Sequence, residues 1–380
     1  MVPLLRYIDI LLGRILYSIF NQAPFLNKSA DNINGAVKKI LLIKLWGIGN
    51  LTIIWPLIHK IREAYPDSHI FFLTFDLNRA FMEKNRCIDK IIYFRFTKNI
   101  FIIIINYFRA LVKLRVERLD LVINFETFNN ASSLFSFLTN AHIRLGINNK
   151  YEKIFYNHWV NNSPDLHISQ IYTNLLKLLP INFDYNYFYF SKSKENDRKI
   201  AGLLQDLKID RFICIHPGTS ENFKGKRWPW FNFSELSNLM LQRYNIPLIF
   251  TGTELEKRTV ANIIKKIKPK DKIFNFVGHL NIWEYVELIR RSFLFISNDT
   301  GPAHLAASLG INTVIFYGPT SPLRYRPLTK NSVIYYKNLK CGPCVGSNYL
   351  NKKCRNKFKC LDFTPKEIVL KISEKFFNEK

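Results

Sequence analysis

FLFISNDTGPAHLAASLGINTVIF occupies residues 293–316 and reads as strand, turn, helix, strand. Phe293–Ser297 is an apolar run of strand length, Pro302–Leu309 a helix, and Thr313–Phe316 a second β-rich run. Pro302 falls in the first helical turn, where its missing N–H costs nothing. Two short apolar runs joined through a helix are parallel strands with a crossover, the unit of a doubly wound α/β sheet.

The same alternation extends upstream. Phe212–His216, Pro247–Thr251 and Ile273–Phe276 are predicted strands, separated by helices Phe231–Tyr244, Leu255–Ile267 and Trp283–Arg291. The earlier half repeats it. Lys39–Leu45 (KILLIKL) is a strand, Gly47-Ile48-Gly49 a turn and Asn50–Tyr65 a helix; His69–Thr74, Ile91–Phe94, Leu121–Phe125 and Ile143–Gly146 are further strands, with helix Ile100–Glu117 among them. Aromatic and polar residues near Asn182–Glu195 break the pattern and mark an interdomain linker; a polar linker, Asn27–Lys38, precedes the first strand. The expectation is an α/β fold of two Rossmann-like doubly wound domains, 36–185 and 195–362, facing across a cleft that holds a ligand at strand carboxyl ends. An amphipathic helix (1–26) opens the chain and a helix (363–380) ends it.

With 380 residues, 48% hydrophobic and 22% charged, the chain is folded and large enough for two cores. A net charge of +26 favours a polyanionic partner: nucleic acid, an anionic membrane face or a phosphorylated substrate. Lysines spread over every exposed face would give the same number. The aromatics do not interleave with the basic residues, so nucleic acid is set aside. No cleavable signal is visible, and the longest apolar run, Ile100–Ile105, is too short to span a bilayer. In MVPLLRYIDILLGRILYSIF, Leu4, Leu5, Ile8, Leu11, Leu12, Ile15, Leu16, Ile19 and Phe20 form one helical stripe opposite Arg6, Asp9 and Arg14. Such a helix lies on an anionic membrane surface or packs on the body of the protein.

Three loops at strand ends carry chemistry. In SNDTGPAH (Ser297–His304), backbone N–H groups at a helix start suit phosphate oxygens; Asp299 caps the helix or contacts a sugar hydroxyl, and His304 projects one turn inside. Ile215–Pro229 (IHPGTSENFKGKRWP) supplies Thr219 and Ser220 hydroxyls with Lys224, Lys226 and Arg227, a set that compensates a diphosphate by charge. In Phe250–Glu256 (FTGTELE), Glu254 or Glu256 either binds ribose hydroxyls or is a solvated acid at a helix start. Trp46–Asn50 (WGIGN) lacks the third glycine of a dinucleotide fingerprint. Cys341, Cys344, Cys354 and Cys360 are spaced as C-x2-C-x9-C-x5-C, which a structural zinc ion or plain packing would explain; Cys87 and Cys214 sit in apolar stretches. No catalytic metal set is seen.

Together ILLIKLWGIGNLTIIWP (Ile40–Pro56), Leu121–Gly146, HPGTSENFKGKRWP (His216–Pro229) and SNDTGPAHLAASLGINTVIFYGP (Ser297–Pro319) resemble glycosyltransferase family 9, the lipopolysaccharide heptosyltransferases, over roughly residues 36–362. The Cys-x-Pro-Cys tail and the amphipathic opening also recur in that family. The resemblance implies a GT-B fold with the donor bound by the second half and the acceptor by the first. It implies inverting, metal-independent transfer needing no cofactor, often from ADP-heptose, to a phosphorylated glycolipid at the cytoplasmic face of the inner membrane. By the same resemblance Thr219, Ser220 and Lys226 hold the diphosphate, Glu256 the ribose, and Asp299, Thr300, Gly301 and His304 the diphosphate and donor sugar.

One position departs. The family commonly carries Asp, the proposed base, where this chain has Asn50. An amide accepts no proton at neutral pH, so position 50 is not a general base. Glu126, at the end of LVINF, is a candidate in its place, or else a surface carboxylate. A same-family enzyme using another nucleotide sugar for capsule or O-chain assembly, a non-catalytic nucleotide-sugar binder and a GT-B-shaped sugar-nucleotide epimerase are the competing readings.

Overall fold

The computed structural model describes residues 9–11, 13–15, 17–18, 37–97, 99–181, 190–344, 354 and 356–377. The chain forms two compact units, Met1–Asn186 and Tyr187–Lys380. Residues 27–36 of the polar linker and 182–189 of the interdomain linker lie outside the described residues.

The first unit holds strands β1 (Lys39–Ile43), β2 (His69–Phe75), β3 (Lys90–Phe94), β4 (Leu121–Asn124), β5 (Ile143–Asn148) and β6 (His158–Asn161). They lie in the order β3-β2-β1-β4-β5-β6, every neighbour parallel. The second unit holds β7 (Ile213–His216), β8 (Leu248–Phe250), β9 (Ile273–Asn275), β10 (Leu294–Asn298), β11 (Asn312–Tyr317) and β12 (Ser332–Tyr336). Its order, β12-β11-β10-β7-β8-β9, is the same topology read from the other edge, again all parallel. In each sheet the chain winds outward from a central strand, returns, and winds out the other way. The switch point lies between β1 and β4, and between β7 and β10. Ligands of open parallel sheets bind beyond the carboxyl ends of strands at such a point.

The central strands are continuous apolar runs because helices cover both their faces. Ile40 through Ile43 and Leu294 through Ile296 are fully buried. Among the strands and longer helices, the sequence reading missed β6, β12, the helices Asn130–Leu138 and Ile168–Leu176 and, last, the helix Lys194–Asp206. That helix starts inside the expected linker, where the Ser193 hydroxyl caps the Asn196 N–H. The closing helix, Pro365–Phe376, is part of the second unit's core: Ile368, Val369 and Ile372 are buried there, and Phe377 stacks on Tyr244 with ring centroids 3.8 Å apart.

At the amino terminus, the described residues between Asp9 and Ser18 are helical. The Asp9 carboxylate accepts the Asn130 and Ala131 N–H groups at 3.0 and 2.7 Å, at the start of helix Asn130–Leu138. A Cβ at Gly13 would come within 2.5 Å of the Asn130 side chain, so the helix approaches that closely. Part of its polar side therefore packs on the protein, while Leu11 and Ile15 are exposed. Leu4, Leu5, Arg6, Ile8, Leu12, Leu16, Ile19 and Phe20 lie outside the described residues. No helix among the described residues is long and apolar enough to cross a membrane.

Candidate functional site

In the second unit, β7 and β10 end side by side, with His216 in register with Ser297. Two loops leave from there, and one side chain ties them. Asn298, the buried last residue of β10, accepts the Trp228 N–H at 2.8 Å and donates its amide to the Pro217 carbonyl at 2.8 Å. The KGKRWP and HPGTS segments are thus pinned to the strand that carries SNDT. Trp228 anchors the pin by stacking on Phe316, ring centroids 4.4 Å apart.

Asp299 follows. Its Oδ2 is 2.7 Å from Lys226 Nζ and accepts the Thr320 hydroxyl at 2.5 Å. Burial pushes this carboxyl up, but the Lys226 charge and hydrogen bond, the Thr320 hydroxyl and the nearby His304 outweigh it and hold it below its ordinary value. Asp299 is not a cap: the helix Gly301–Ser308 has Thr300 at its N-cap with no side-chain cap bond. Thr300 and Gly301 stay half-buried, while His304 is buried one turn inside. No side chain caps this helix start; Pro302 brings no N–H and the Ala303 N–H goes to the Thr300 carbonyl at 3.1 Å, so what the start offers an anion is the Gly301 backbone and the positive end of the helix dipole.

The diphosphate candidates divide. Thr219 is buried: its hydroxyl donates to the Phe223 carbonyl at 3.2 Å and accepts from Arg227 Nε at 3.0 Å. Arg227 also reaches the Thr219 carbonyl and Glu221, both at 2.8 Å, so it shapes the loop. Ser220 is exposed. Lys226 makes its one hydrogen bond among the described residues to Asp299 and is available to exchange it for an incoming anion.

Glu256 is buried and closes a capping box, its Oε2 accepting the Thr253 N–H at 2.8 Å and the Thr253 hydroxyl at 2.6 Å. It leans on glycine: a Cβ at Gly218 would come 2.5 Å from Glu256 Cγ. Glu254, the other acid weighed here, is solvent-exposed beside Lys257. His216, next to this carboxylate, donates or accepts at the Tyr285 hydroxyl at 3.2 Å. Burial lowers its pKa from 6.5 to about 4, with the Glu256 charge offsetting part of that, so His216 is neutral at pH 7.

The first unit builds a related corner at β1/β4. Lys44 and Glu126 are buried, with side-chain exposures of 2% and 7% and Nζ and Oε2 3.5 Å apart. Lys44 also donates to the Phe125 carbonyl at 2.9 Å, and Glu126 Oε1 accepts the Leu45 and Trp46 N–H groups at 2.6 and 3.3 Å. Burial pushes Lys44 down, but Glu126 and Tyr172 outweigh it and hold it above its ordinary value. Glu126 is therefore no surface carboxylate; it clasps the turn that leads into helix Ile48–Ala64. Asn50 lies in the first turn of that helix, half-buried, its amide donating to the Trp46 carbonyl at 3.3 Å. Gly47, at φ 81°, makes the reversal that L side chains rarely adopt.

Cys341, Cys344 and Cys354 are exposed and Cys360 is partly buried. Burial and then the charges of Cys354, Cys344 and Cys341 push Cys360 up to about 11. Among the described residues no three His, Cys, Asp or Glu side chains are grouped to hold a metal ion, so the zinc expectation gains no ligand set; residues 345–353 and 355 lie outside the described ones. Sequence reading left Asn298, Thr320, Tyr285 and Lys44 unassigned, and it gave Arg227 to the diphosphate where the structure has it holding the loop through Thr219 and Glu221. Only Lys44 carried a local signal, a charge inside an apolar strand run.

The family model described as glycosyltransferase family 9 (heptosyltransferase) matches residues 108–355. Lipooligosaccharide heptosyltransferase 2 of Campylobacter jejuni is 28% identical over 202 residues, which cover 48% of this chain and 60% of that protein. The chain thus spans about three fifths of the length of this relative. Lipopolysaccharide heptosyltransferase 3 of Escherichia coli K12 is 24% identical over 344 residues, covering 87% of this chain and 96% of the relative. Among solved structures, a family 9 glycosyl transferase from Veillonella parvula superposes with TM-score 0.77 at 19% identity, covering 92% of this chain and all (100%) of that one. The E. coli ADP-heptose lipopolysaccharide heptosyltransferase II superposes with TM-score 0.70 at 18% identity, over 90% of this chain and 99% of that one. The likeness shows the fold: two Rossmann-like sheets of the GT-B class.

Proposed function

The chain belongs to glycosyltransferase family 9, and from that membership we propose that it is an inverting transferase moving heptose from ADP-heptose onto a lipopolysaccharide-type, phosphorylated glycolipid. The observation that carries the reading is the Lys226–Asp299–Thr320 cluster at the β7/β10 switch point, set at a helix start that no side chain caps. The second unit takes the donor. Lys226 and the amino-terminal end of helix Gly301–Ser308 compensate the diphosphate as it leaves, together with Thr300, Gly301 and the Ser220 hydroxyl. Thr219 acts through the backbone it holds. Glu256 receives the ribose, and Asp299 with His304 faces the donor sugar. The names of the relatives support heptose as the sugar and the lipopolysaccharide core as the acceptor.

The first unit takes the acceptor. With Asn50 unable to act as base, and both oxygens of Glu126 engaged, we assign Glu126 to positioning the β1 turn. Deprotonation of the acceptor hydroxyl then falls late, after the bond to the diphosphate has loosened, when little base strength is needed and the proton passes to water or to an oxygen of the departing diphosphate. The enzyme works at the cytoplasmic face of the inner membrane as a peripheral protein, an assignment supported by its charge of +26.

The test is a donor panel: the protein is incubated with ADP-heptose and other nucleotide sugars, with and without a lipid A–core acceptor, and nucleoside diphosphate release is followed. Acceptor-dependent release from ADP-heptose is expected. Release from another donor selects the capsule or O-chain reading; tight ADP binding with no release selects the non-catalytic one, which Asn50 specifically favours. Release that ignores the acceptor counts against a dedicated transferase.

A further inference from the structure

Helix Ile100–Val116 (IFIIIINYFRALVKLRV) is far more apolar on its outside than a surface helix of a globular unit needs to be. Only Ala110, Leu111 and Leu114 are buried against the sheet. On the opposite side, Phe101, Ile105, Phe108, Val112 and Val116 recur at i, i+4, i+7, i+11 and i+15 and fall within one narrow stripe. Their exposures are 73%, 49%, 55%, 63% and 77%. Exposed Arg109 and Lys113 flank the stripe on one side and Arg115 on the other, and the helix contains no acidic residue. An apolar ridge between cationic rows marks an interaction surface.

We infer that this stripe is the element that docks the protein on an anionic phospholipid bilayer, with the helix lying in the plane of the interface. The inference rests on the peripheral-membrane reading above and assigns it to residues outside the amino-terminal helix. Charge complementarity selects the occupant. Acidic headgroups neutralise Arg109, Lys113 and Arg115 while the acyl boundary takes Phe101, Ile105 and Phe108. A second copy would instead set those rows of like charge against each other, on a chain already carrying +26. The amino-terminal helix adjoins it: the Tyr107 hydroxyl donates to the Ala131 carbonyl at 3.0 Å, and Asp9 accepts the Ala131 N–H. Leu11 and Ile15 of that helix are exposed as well. At roughly 25 Å, a helix of this length offers an extended line of attachment.

The experiment is co-sedimentation of the full chain with phosphatidylcholine vesicles, with and without phosphatidylglycerol. Intact protein is expected to bind only the anionic vesicles. Phe101→Glu/Phe108→Glu should weaken that binding by roughly tenfold or more, and Arg109→Glu/Lys113→Glu should remove the dependence on phosphatidylglycerol. Both pairs are exposed, and unchanged far-ultraviolet dichroism and ADP affinity would confirm that the variants are folded. Hydrogen exchange on the unaltered chain should show new protection at residues 100–116 when vesicles are added. If intact protein binds and the Phe variant binds equally, the stripe is not the docking element, although the membrane reading survives. If intact protein ignores anionic vesicles, both fall. A dimer that the Phe variant dissociates, with no vesicle dependence, would give the stripe to a second copy and overturn the inference.

Discussion

In the first unit a lysine leaves β1 and meets a carboxylate beyond β4, Lys44 with Glu126; in the second, the loop after β7 brings Lys226 to Asp299 beyond β10. The sheets share one topology, so the two pairs occupy equivalent corners, and both fourth strands end in a buried asparagine, Asn124 and Asn298. Their chemistry differs in what else each member touches. Lys44 also holds the Phe125 carbonyl and Glu126 also holds two backbone N–H groups, a closed set. Lys226, 15% exposed, has among the described residues Asp299 and the face of the Phe223 ring as its partners. The same pair is a clasp where every bond is internal; at Lys226, where one partner can be exchanged, it is the receptor proposed above for the donor diphosphate.

The most damaging way to test that contrast is Lys44→Met, which strands a buried carboxylate. It should cost about 3–5 kcal/mol of stability in urea unfolding; a cost near that of an exposed lysine would break the comparison. Next comes pH. The folded second unit rejects a proton at His216 that the unfolded chain binds, so stability is full above about pH 6.5 and drains as pH falls toward 4. The gap between 6.5 and about 4 corresponds to on the order of 3 kcal/mol, and His216→Gln should flatten the slope of unfolding midpoint against pH in that window.

Lys226→Ala should weaken ADP binding by about 1.5–3 kcal/mol in calorimetry, the worth of a charge-assisted hydrogen bond. Unchanged affinity would remove it from the donor site. Glu126→Gln tells a positioning residue from a base: turnover should fall by less than about tenfold, against the hundredfold or more expected for a lost general base. Smallest is Asn50→Asp, which should raise turnover by up to about tenfold if position 50 lies beside the acceptor hydroxyl. No change would move the acceptor elsewhere.

The interior of both sheets was legible because parallel central strands announce themselves as unbroken apolar runs, as in KILLI and LFIS. The edges were not. β6 (HWVN) alternates half-buried with exposed residues over four positions, and helix Lys194–Asp206 is polar enough to pass for linker. At the site, the loops bearing Lys226 and Asp299 stood out by composition. Asn298 and Thr320 did not, since their roles exist only through partners 70 and 21 residues away in sequence.

That asparagine amide has a consequence for how a ligand is received. Because it grips Trp228 with its oxygen and Pro217 with its nitrogen, both ends of the loop after β7 are tied to the end of β10. The entropy of ordering them is spent when the unit folds, before any ligand arrives. A donor bound there, as proposed, would meet a loop already tied at both ends, and less of its affinity would go to ordering that loop.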